Sequence, residues 1–337
     1  MHADDRFDDL AAGLGSFYRA WTISIGLELG LFARLRAAGE AGLAAEALAA
    51  SAGCAPAPVA AWCRAAHAGD LVDCRDGRFV LDGEIATILL DERRPEYLGG
   101  QFTYATTASL DWGRMAEFIR TGIPLDERSA RYSRAVEQLT RQDIAVFFEE
   151  ALASLPELVV ALVRGARVVD VHCGGGRWLV AVARRFPETR LVGVEFEPNS
   201  VARAMRLVQE AGLEDRIRIE AREVETLAHV GEFDVAYFQH ALHELRRPEV
   251  ALAAAWRALV RDGWLLVLGW CLPEHPEEYP TLHGQLISGV DLDELLGGGQ
   301  MRTVTEHAAL FRAAGLPEPT AIALPSGATL LVARRGP

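Results

Sequence analysis

Hydrophobic residues recur at helical spacing in the first part of the chain and change pattern after Gly165. Helices are predicted over Trp21–Arg36, over Leu43–Ser51 and from Pro56 to His67. Two short strands are predicted over Leu71–Cys74 and Arg78–Leu81, with a hairpin turn at residues 75–77. This order of three helices and a hairpin is the layout of a winged helix-turn-helix. Residues 95–156 are again predicted to be mostly helical.

After Gly165, predicted strands alternate with predicted helices of ten to fifteen residues. The strands are Arg167–His172, Leu191–Phe196, Ile217–Ala221, Phe233–Phe238, Trp264–Trp270 and one around Ala328–Ala333. The helices are Arg177–Phe186, Ser200–Gly212, Glu249–Val260 and Thr305–Ala314. Such alternation implies βαβ units, so we predict an α/β fold with a mostly parallel, Rossmann-like sheet.

The amino-acid composition argues against several classes of function. The chain has 337 residues, a formal charge of −13, and 34 basic residues that are all arginine. The acidic excess argues against nucleic acid or an anionic membrane as a partner. The absence of lysine excludes Schiff-base chemistry, a Walker-type phosphate lysine and a lysine base. An acidic N-terminal segment, the lack of a membrane-length apolar run and the absence of a C-x-x-C pair lead us to expect a cytoplasmic protein.

Two segments allow both a structural and a functional interpretation. The helix Pro56–His67 occupies the place of a DNA recognition helix but offers only Arg64 and His67 as polar contacts, which favours packing or dimerisation. The aromatic residues between 97 and 118 either pack one domain on the other or form the wall of a substrate pocket.

A strand, a glycine cluster and a helix give the strongest chemical signal. The strand contains Asp170 and is followed by Gly174 and Gly176 at the start of the next helix. Glycines there let a ligand approach the backbone, and the helix start offers free N–H groups. A second acid, Glu195, closes the next strand, where it can accept both hydroxyls of a ribose. Glu223 follows the third strand and suits an adenine.

From Gly165 to the C-terminus, these residues resemble the class I S-adenosylmethionine (SAM)-dependent methyltransferases. Asp170, Gly174 and Gly176 match the first motif of that family, and Glu195 matches its ribose-binding acid. The sequence departs from the family at His172, where a glycine is usual. The resemblance implies SAM as cofactor, with S-adenosylhomocysteine (SAH) as product. The implied cofactor-binding residues are Asp170, His172, Gly174, Gly176, Glu195, Phe196, Glu223, Val224 and Gln239.

The first third of the chain looks like the winged-helix dimerisation domain of small-molecule O-methyltransferases, which implies a homodimer. In that family a histidine after the fourth strand deprotonates the acceptor. Here His243 matches the base and Glu244 its acidic neighbour. At the two positions where that family usually has acids that orient the histidine, this sequence has Trp270 and Met301. His243 is therefore expected to lack an acidic orienter.

The acceptor is expected to be a small, ring-bearing molecule, methylated on a hydroxyl. The residues proposed for its pocket are Phe102, Tyr104, Trp112, Met115, His240, Trp270 and Met301. We predict a dimerisation domain at 1–95, a helical connector at 96–156 that contributes to the pocket, and a SAM-binding domain at 157–337.

The sequence also permits different chemistry at the same residues. No metal is expected, yet His240 and His243, with His275 or His283, could hold Zn²⁺ or iron and assist C-methylation of a 2-oxo acid. Lesser alternatives are N-methylation and a SAM-fold enzyme that transfers no methyl group, and the sequence favours a ligand-responsive winged-helix regulator less than either.

Overall fold

The computed structural model describes residues 3–336, with side chains from Arg6 onward. Met1, His2 and Pro337, which the predicted domains include, lie outside the described residues. The chain forms two compact units. The first comprises Met1–Arg114 and Arg128–Ala145, and the second Met115–Glu127 and Val146–Pro337.

The first unit is helical apart from one hairpin. Its helices are α1 (Ala3–Glu28), α2 (Leu31–Ala38), α3 (Ala45–Ala52), α4 (Pro56–Ala68), α5 (Gly83–Leu90), α6 (Gly99–Ser109), α8 (Ala130–Leu139) and most of α9 (Arg141–Val146). Strands β1 (Asp73–Arg75) and β2 (Arg78–Val80) pair antiparallel, as the sequence predicts. The single helix predicted over Trp21–Arg36 is wrong, because Gly30 adopts a φ of 65° and separates α1 from α2.

An apolar core joins the helices of this unit. The ring centroids of Phe32 on α2 and Trp62 on α4 lie 5.2 Å apart in an edge-to-face contact. The indole N–H of Trp62 donates to the carbonyl oxygen of Thr22 on α1 over 2.9 Å. Burial of large rings with a satisfied polar atom contributes several kcal/mol to a core, roughly 2–3 kcal/mol for each side chain.

A seven-stranded sheet forms the centre of the second unit. Its strands are β3 (Arg167–Val171), β4 (Arg190–Glu195), β5 (Ile217–Ala221), β6 (Phe233–Gln239), β7 (Leu259–Gly269), β8 (Thr320–Ala323) and β9 (Thr329–Arg334). Their order is β5-β4-β3-β6-β7-β9-β8. The strands from β3 to β7 run parallel, and β9 pairs antiparallel with both β7 and β8. The predicted mostly parallel α/β sheet is confirmed.

Helices surround the sheet of this unit. They are α7 (Met115–Thr121), α10 (Pro156–Val163), α11 (Arg177–Arg185), α12 (Pro198–Glu210), α13 (Pro248–Ala258), α14 (Leu282–Leu296) and α15 (Val304–Ala313). Sequence reasoning missed α14 and β8. Strand β7 begins at Leu259, earlier than the predicted Trp264, but its pairing with β6 is irregular between these two residues, where Asp262 has a φ of 61°.

Aromatic rings pack around Phe147, close to the point where the chain passes into the second unit. A single π-helical turn at Phe147–Ala151 directs Phe147 into the core. Its ring lies 5.0 Å from that of Trp178 on α11 and 5.2 Å from that of Tyr237 on β6. Because the carboxyl ends of parallel strands meet at one edge of the sheet, ligands of such folds bind there.

Candidate functional site

The two acids of the predicted motif lie on neighbouring strands at this edge. Asp170 on β3 pairs with Gly193 on β4, and Glu195 is the last residue of β4. Both side chains are buried. Glu195 pairs with Ala221 at the end of β5, which puts exposed Glu223 just beyond the same edge.

The glycine loop between β3 and α11 has an unusual backbone. His172, Gly174 and Gly176 all have positive φ values, of 67°, 52° and 73°. A Cβ atom on Gly174 would meet nothing within 4 Å, so this glycine leaves open space beside the loop. A Cβ atom on Gly176 would lie 3.2 Å from the Cβ of Ala204 on α12, so this glycine permits close helix packing. A histidine in the left-handed region costs roughly 1–2 kcal/mol.

Asp170 is a buried carboxyl with an altered acidity. Burial raises the pKa of Asp170, the charge of His172 lowers it and the charge of Glu195 raises it, and the resulting pKa is about 8. The carboxyl is therefore mostly protonated at neutral pH and can donate a hydrogen bond as well as accept one.

Backbone N–H groups hold the carboxylate of Glu195. One oxygen accepts from the N–H groups of Phe196 and Glu197, both over 2.9 Å, and the other accepts from the N–H of Gly174 over 3.0 Å. A carboxylate has about four acceptor positions, so three of them are filled by the protein itself.

His172 lies between two carboxylates. Its Nε2 atom is 2.8 Å from Glu244, and its Nδ1 atom is 3.4 Å from Glu195. Burial lowers the pKa of His172, but the hydrogen bond to Glu244 and the charges of Glu244, Glu195 and Asp170 raise it to about 9. The ring also stacks on Phe196, with centroids 5.7 Å apart and planes 12° from parallel. His172 is therefore a cation at neutral pH.

The predicted base, His243, has two carboxylates near one of its ring nitrogen atoms. Its Nε2 atom lies 3.9 Å from Glu244 and 3.7 Å from Glu294. Burial lowers the pKa of His243 to about 4, with the nearby charges of His240, His172 and Arg302 adding to the effect against that of Glu244. The imidazole is therefore neutral at physiological pH.

Glu294 corrects the expectation that His243 lacks a second acid. It lies on α14, close to the end of the helix, and the chain then returns so that the N–H of Gln300 donates to the carbonyl oxygen of His243. Sequence reasoning compared only loop positions and missed this helix. Thr281 as an N-cap, with leucines following at helical spacing, is the signal that could have found it.

Glu244 connects the two histidines. Desolvation raises the pKa of Glu244, but the hydrogen bond with His172 and the charges of His172, His243 and His240 lower it by more. The ionised carboxylate is thus 2.8 Å from one histidine and 3.9 Å from the other.

The predicted acceptor-pocket residues fall in both units. Phe102, Tyr104 and Trp112 belong to the first, and Met115, His240, Trp270 and Met301 belong to the second. Within the second, the ring of His240 lies 4.9 Å from Trp270 and 6.4 Å from His243. The remaining predicted cofactor residues, Val224 and Gln239, follow β5 and end β6 at the ligand edge of the sheet.

The described residues offer neither a metal cluster nor a membrane span. Within residues 3–336, no group of three or more histidine, cysteine, aspartate or glutamate side chains is arranged to hold a metal ion. No helix in this part of the chain is long and apolar enough to cross a membrane.

The types of residue at this edge of the sheet are ones that can bind a nucleoside cofactor. Gly174 leaves open space beside the loop, and Glu195 supplies a fixed carboxylate at the end of β4. Each is a feature that a ribose with its hydroxyls can complete.

Comparisons with known proteins agree with this geometry. Residues 168–263 match the family model described as a methyltransferase domain. Isonocardicin synthase of Nocardia uniformis subsp. tsuyamanensis is 33% identical over 159 residues, which are 46% of this chain and 46% of that protein. The chain spans about half of the length, or less, of the curated relatives that it matches.

Solved structures resemble the chain over its whole length. The mitomycin 7-O-methyltransferase MmcR is 25% identical with a TM-score of 0.71, and the similarity covers 99% of this chain and 98% of that one. PigF with SAH is 19% identical with a TM-score of 0.76 and covers 99% of both chains, which shows the same fold. Residues 168–263 are therefore a methyltransferase domain, in a chain that has the fold of these methyltransferase structures.

Proposed function

We propose that the protein methylates a hydroxyl group of a small, ring-bearing molecule, with SAM as the methyl donor. The observation that supports this most directly is a neutral histidine, His243, with two carboxylates near its Nε2 atom at the ligand edge of a methyltransferase domain. When bound, SAM supplies an electrophilic methyl carbon and leaves as SAH.

The residues proposed to hold the cofactor surround the ends of β3, β4 and β5. The open loop at Gly174 admits the ligand to the backbone, and Gly176 starts α11 at the distance that the packing requires. Glu195 accepts from the ribose and Glu223 from the adenine. Protonated Asp170 beside the loop adds a hydrogen-bond donor without adding a second buried negative charge.

His243 is the proposed general base. The acceptor hydroxyl loses its proton to the neutral imidazole while its oxygen forms the new bond to carbon. Glu244 and Glu294 then stabilise the imidazolium that results, since each lies within 4 Å of Nε2. Burial disfavours the charged ring, and the charge of Glu244 offsets this effect in part.

The proposed acceptor class follows from the residues offered for the pocket. Of the residues proposed for the pocket within the second unit, Met115, Trp270 and Met301 are apolar or aromatic, which suits a neutral ring better than a charged polymer. One structural neighbour is named for O-methylation of mitomycin, a small molecule. Both points support a secondary metabolite as acceptor.

We also propose that the protein is a homodimer through its first unit. Helix α1 carries large apolar side chains that are more than half exposed within the single chain, namely Phe7, Leu10, Leu14, Phe17 and Tyr18. Exposed apolar surface of this extent on one helix is typical of an association surface. A second copy of the chain is the proposed partner.

The function is tested in two steps. Calorimetry with SAM and SAH should show binding of both, and incubation with phenolic acceptors should give a product heavier by one methyl group in place of a hydrogen. The variant His243→Ala should lower kcat by about 10²–10⁴-fold while SAH affinity is kept. The exposed histidine variant His67→Ala is the control and should keep the wild-type rate.

Two results would contradict the proposal. Absence of any SAM or SAH binding would remove the cofactor assignment, and full activity in His243→Ala would remove the base. A second candidate function is transfer of a part of the cofactor other than its methyl group, or use of the cofactor without any transfer. Two observations favour this candidate: one relative is named a synthase, and His172 departs from the family pattern. A product whose mass gain differs from one methyl group would favour it.

A further inference from the structure

The carboxylate expected to bind the ribose is closed off. The side chain of Glu195 is only 2% exposed, and three of its acceptor positions are filled by backbone N–H groups. The Nδ1 atom of His172 lies 3.4 Å from the carboxylate on the remaining side. A ribose hydroxyl therefore has no access to Glu195 while the imidazole stays in this place.

Three features hold the ring of His172 over Glu195. The backbone φ of 67° directs a side chain into space that a glycine would leave empty. The hydrogen bond to Glu244 anchors one end of the ring, and the stack on Phe196 supports its face. None of these contacts involves the core of the sheet.

The partners of the ring face solvent, so the ring has room to turn away. The Glu244 side chain is 44% exposed and Phe196 is 46% exposed, against 15% for the His172 side chain. Rotation of the imidazole would break one hydrogen bond and one stack, and it would open Glu195 without movement of β3 or β4.

We propose that His172 is a gate on the nucleoside site, which covers the carboxylate of Glu195 and must swing away from Glu244 before a ribose can bind. This inference rests on the proposed function, because it assumes that the cofactor is an adenosine derivative. It gives His172, which stands where the family usually has a glycine, a specific role in the control of cofactor access.

Only molecules in which the gate is open can bind the cofactor. The apparent affinity is therefore the intrinsic affinity multiplied by the fraction of open molecules. A hydrogen bond between charged groups, such as that of His172 with Glu244, shifts such an equilibrium by about ten- to a hundredfold. Removal of the ring should therefore tighten nucleoside binding by a factor in this range.

The variant His172→Gly provides the test. Glycine tolerates the left-handed backbone, so the loop conformation is kept and only the ring is lost. The dissociation constants of SAH and adenosine are measured by calorimetry in wild type and variant, and we expect both to fall about ten- to a hundredfold. His172→Asn, which also accepts this backbone but is too short to cover Glu195, should behave alike.

A matched control separates the gate from relief of backbone strain. Asp76 in the β1–β2 turn also has a positive φ, of 49°, and Asp76→Gly relieves strain far along the chain from the site. We expect wild-type affinity for SAH in this variant. Glu244→Gln, which removes the anchor of the ring, should tighten SAH binding in the direction of His172→Gly.

The outcomes distinguish the gate from the proposed function. Unchanged or weaker SAH binding in His172→Gly would overturn the gate and leave the cofactor assignment intact. Failure of wild type and both His172 variants to bind SAH and adenosine would overturn both. Binding by the variants alone would support the gate strongly.

A pH profile with adenosine gives a second readout. The groups that face His172 are Glu244, Glu195 and Asp170, with His243 beyond Glu244. Deprotonation of His172 at alkaline pH weakens its bond to Glu244, so wild-type affinity should rise relative to that of His172→Gly. The same comparison made in the Asp170→Asn background removes the titration of Asp170, whose pKa depends on the charge of His172. Parallel profiles would contradict the gate.

Discussion

Replacement of Asp170 by asparagine should change how the stability of the second unit depends on pH. In the folded chain, burial raises the pKa of Asp170 to about 8, whereas the unfolded carboxyl titrates near 3.8. Between these values the folded state holds a proton that the unfolded state has lost. Stability therefore falls as pH rises from about 4 to 8 and is level above that.

The size of the effect follows from the two pKa values. Each pH unit within this window is worth about 1.4 kcal/mol, so wild type should lose at most about 3 kcal/mol between pH 5.5 and pH 8 through this group. Asparagine has a similar shape and does not titrate. The difference in unfolding free energy between Asp170→Asn and wild type should therefore grow by up to about 3 kcal/mol in favour of the variant over this range.

Urea unfolding followed by tryptophan fluorescence measures this difference. Trp178, whose ring stacks on Tyr237 at 4.2 Å, reports on the unit that contains Asp170. The exposed residue Asp215 provides the control, because Asp215→Asn makes the same chemical change at the surface. A profile for Asp170→Asn that stays parallel to wild type would refute the reasoning, since it would mean that the native carboxyl is ionised at neutral pH.

Three further predictions concern packing and association. Phe147→Ala should destabilise the second unit by about 3–5 kcal/mol, read as a lower Tm, because it removes a ring that is 2% exposed. Gly176→Ala should cost about 1–2 kcal/mol in urea unfolding and weaken SAH binding, because φ is 73° and the new Cβ would press on Ala204; unchanged values would contradict the role of this glycine. The double variant Leu10→Glu and Leu14→Glu should sediment as a monomer with unchanged circular dichroism, since both leucines are exposed on α1; a persistent dimer would exclude this helix as the interface.

The sheet of the second unit could be predicted from local pattern. Strand β5 agrees with its predicted range at both ends, and β3, β4 and β6 agree within one residue. Buried parallel strands carry continuous runs of valine and leucine, and turn residues mark their ends, so the signal is local. Helix α14 gave a weaker signal, limited to the N-cap at Thr281 and the leucines after it, because leucines such as Leu282 and Leu286 also occupy its exposed face.

The candidate site could be predicted only in part. The motif identified Asp170, the glycine loop, Glu195 and His243, because each stands at a fixed place relative to a strand end. Glu294 was missed, because α14, which carries it, was not predicted and comes close to His243 only in the folded chain.

The sequence by itself determined the alternation of strands and helices, the acids and glycines at the strand ends and the lack of lysine chemistry, because these depend on residue order and type. The tertiary structure alone decided the charge states and partners. Burial keeps Asp170 protonated and His243 neutral, and contact with Glu244 keeps His172 charged. These properties depend on distance and dielectric surroundings, which exist only after strands and helices far apart in the sequence come together.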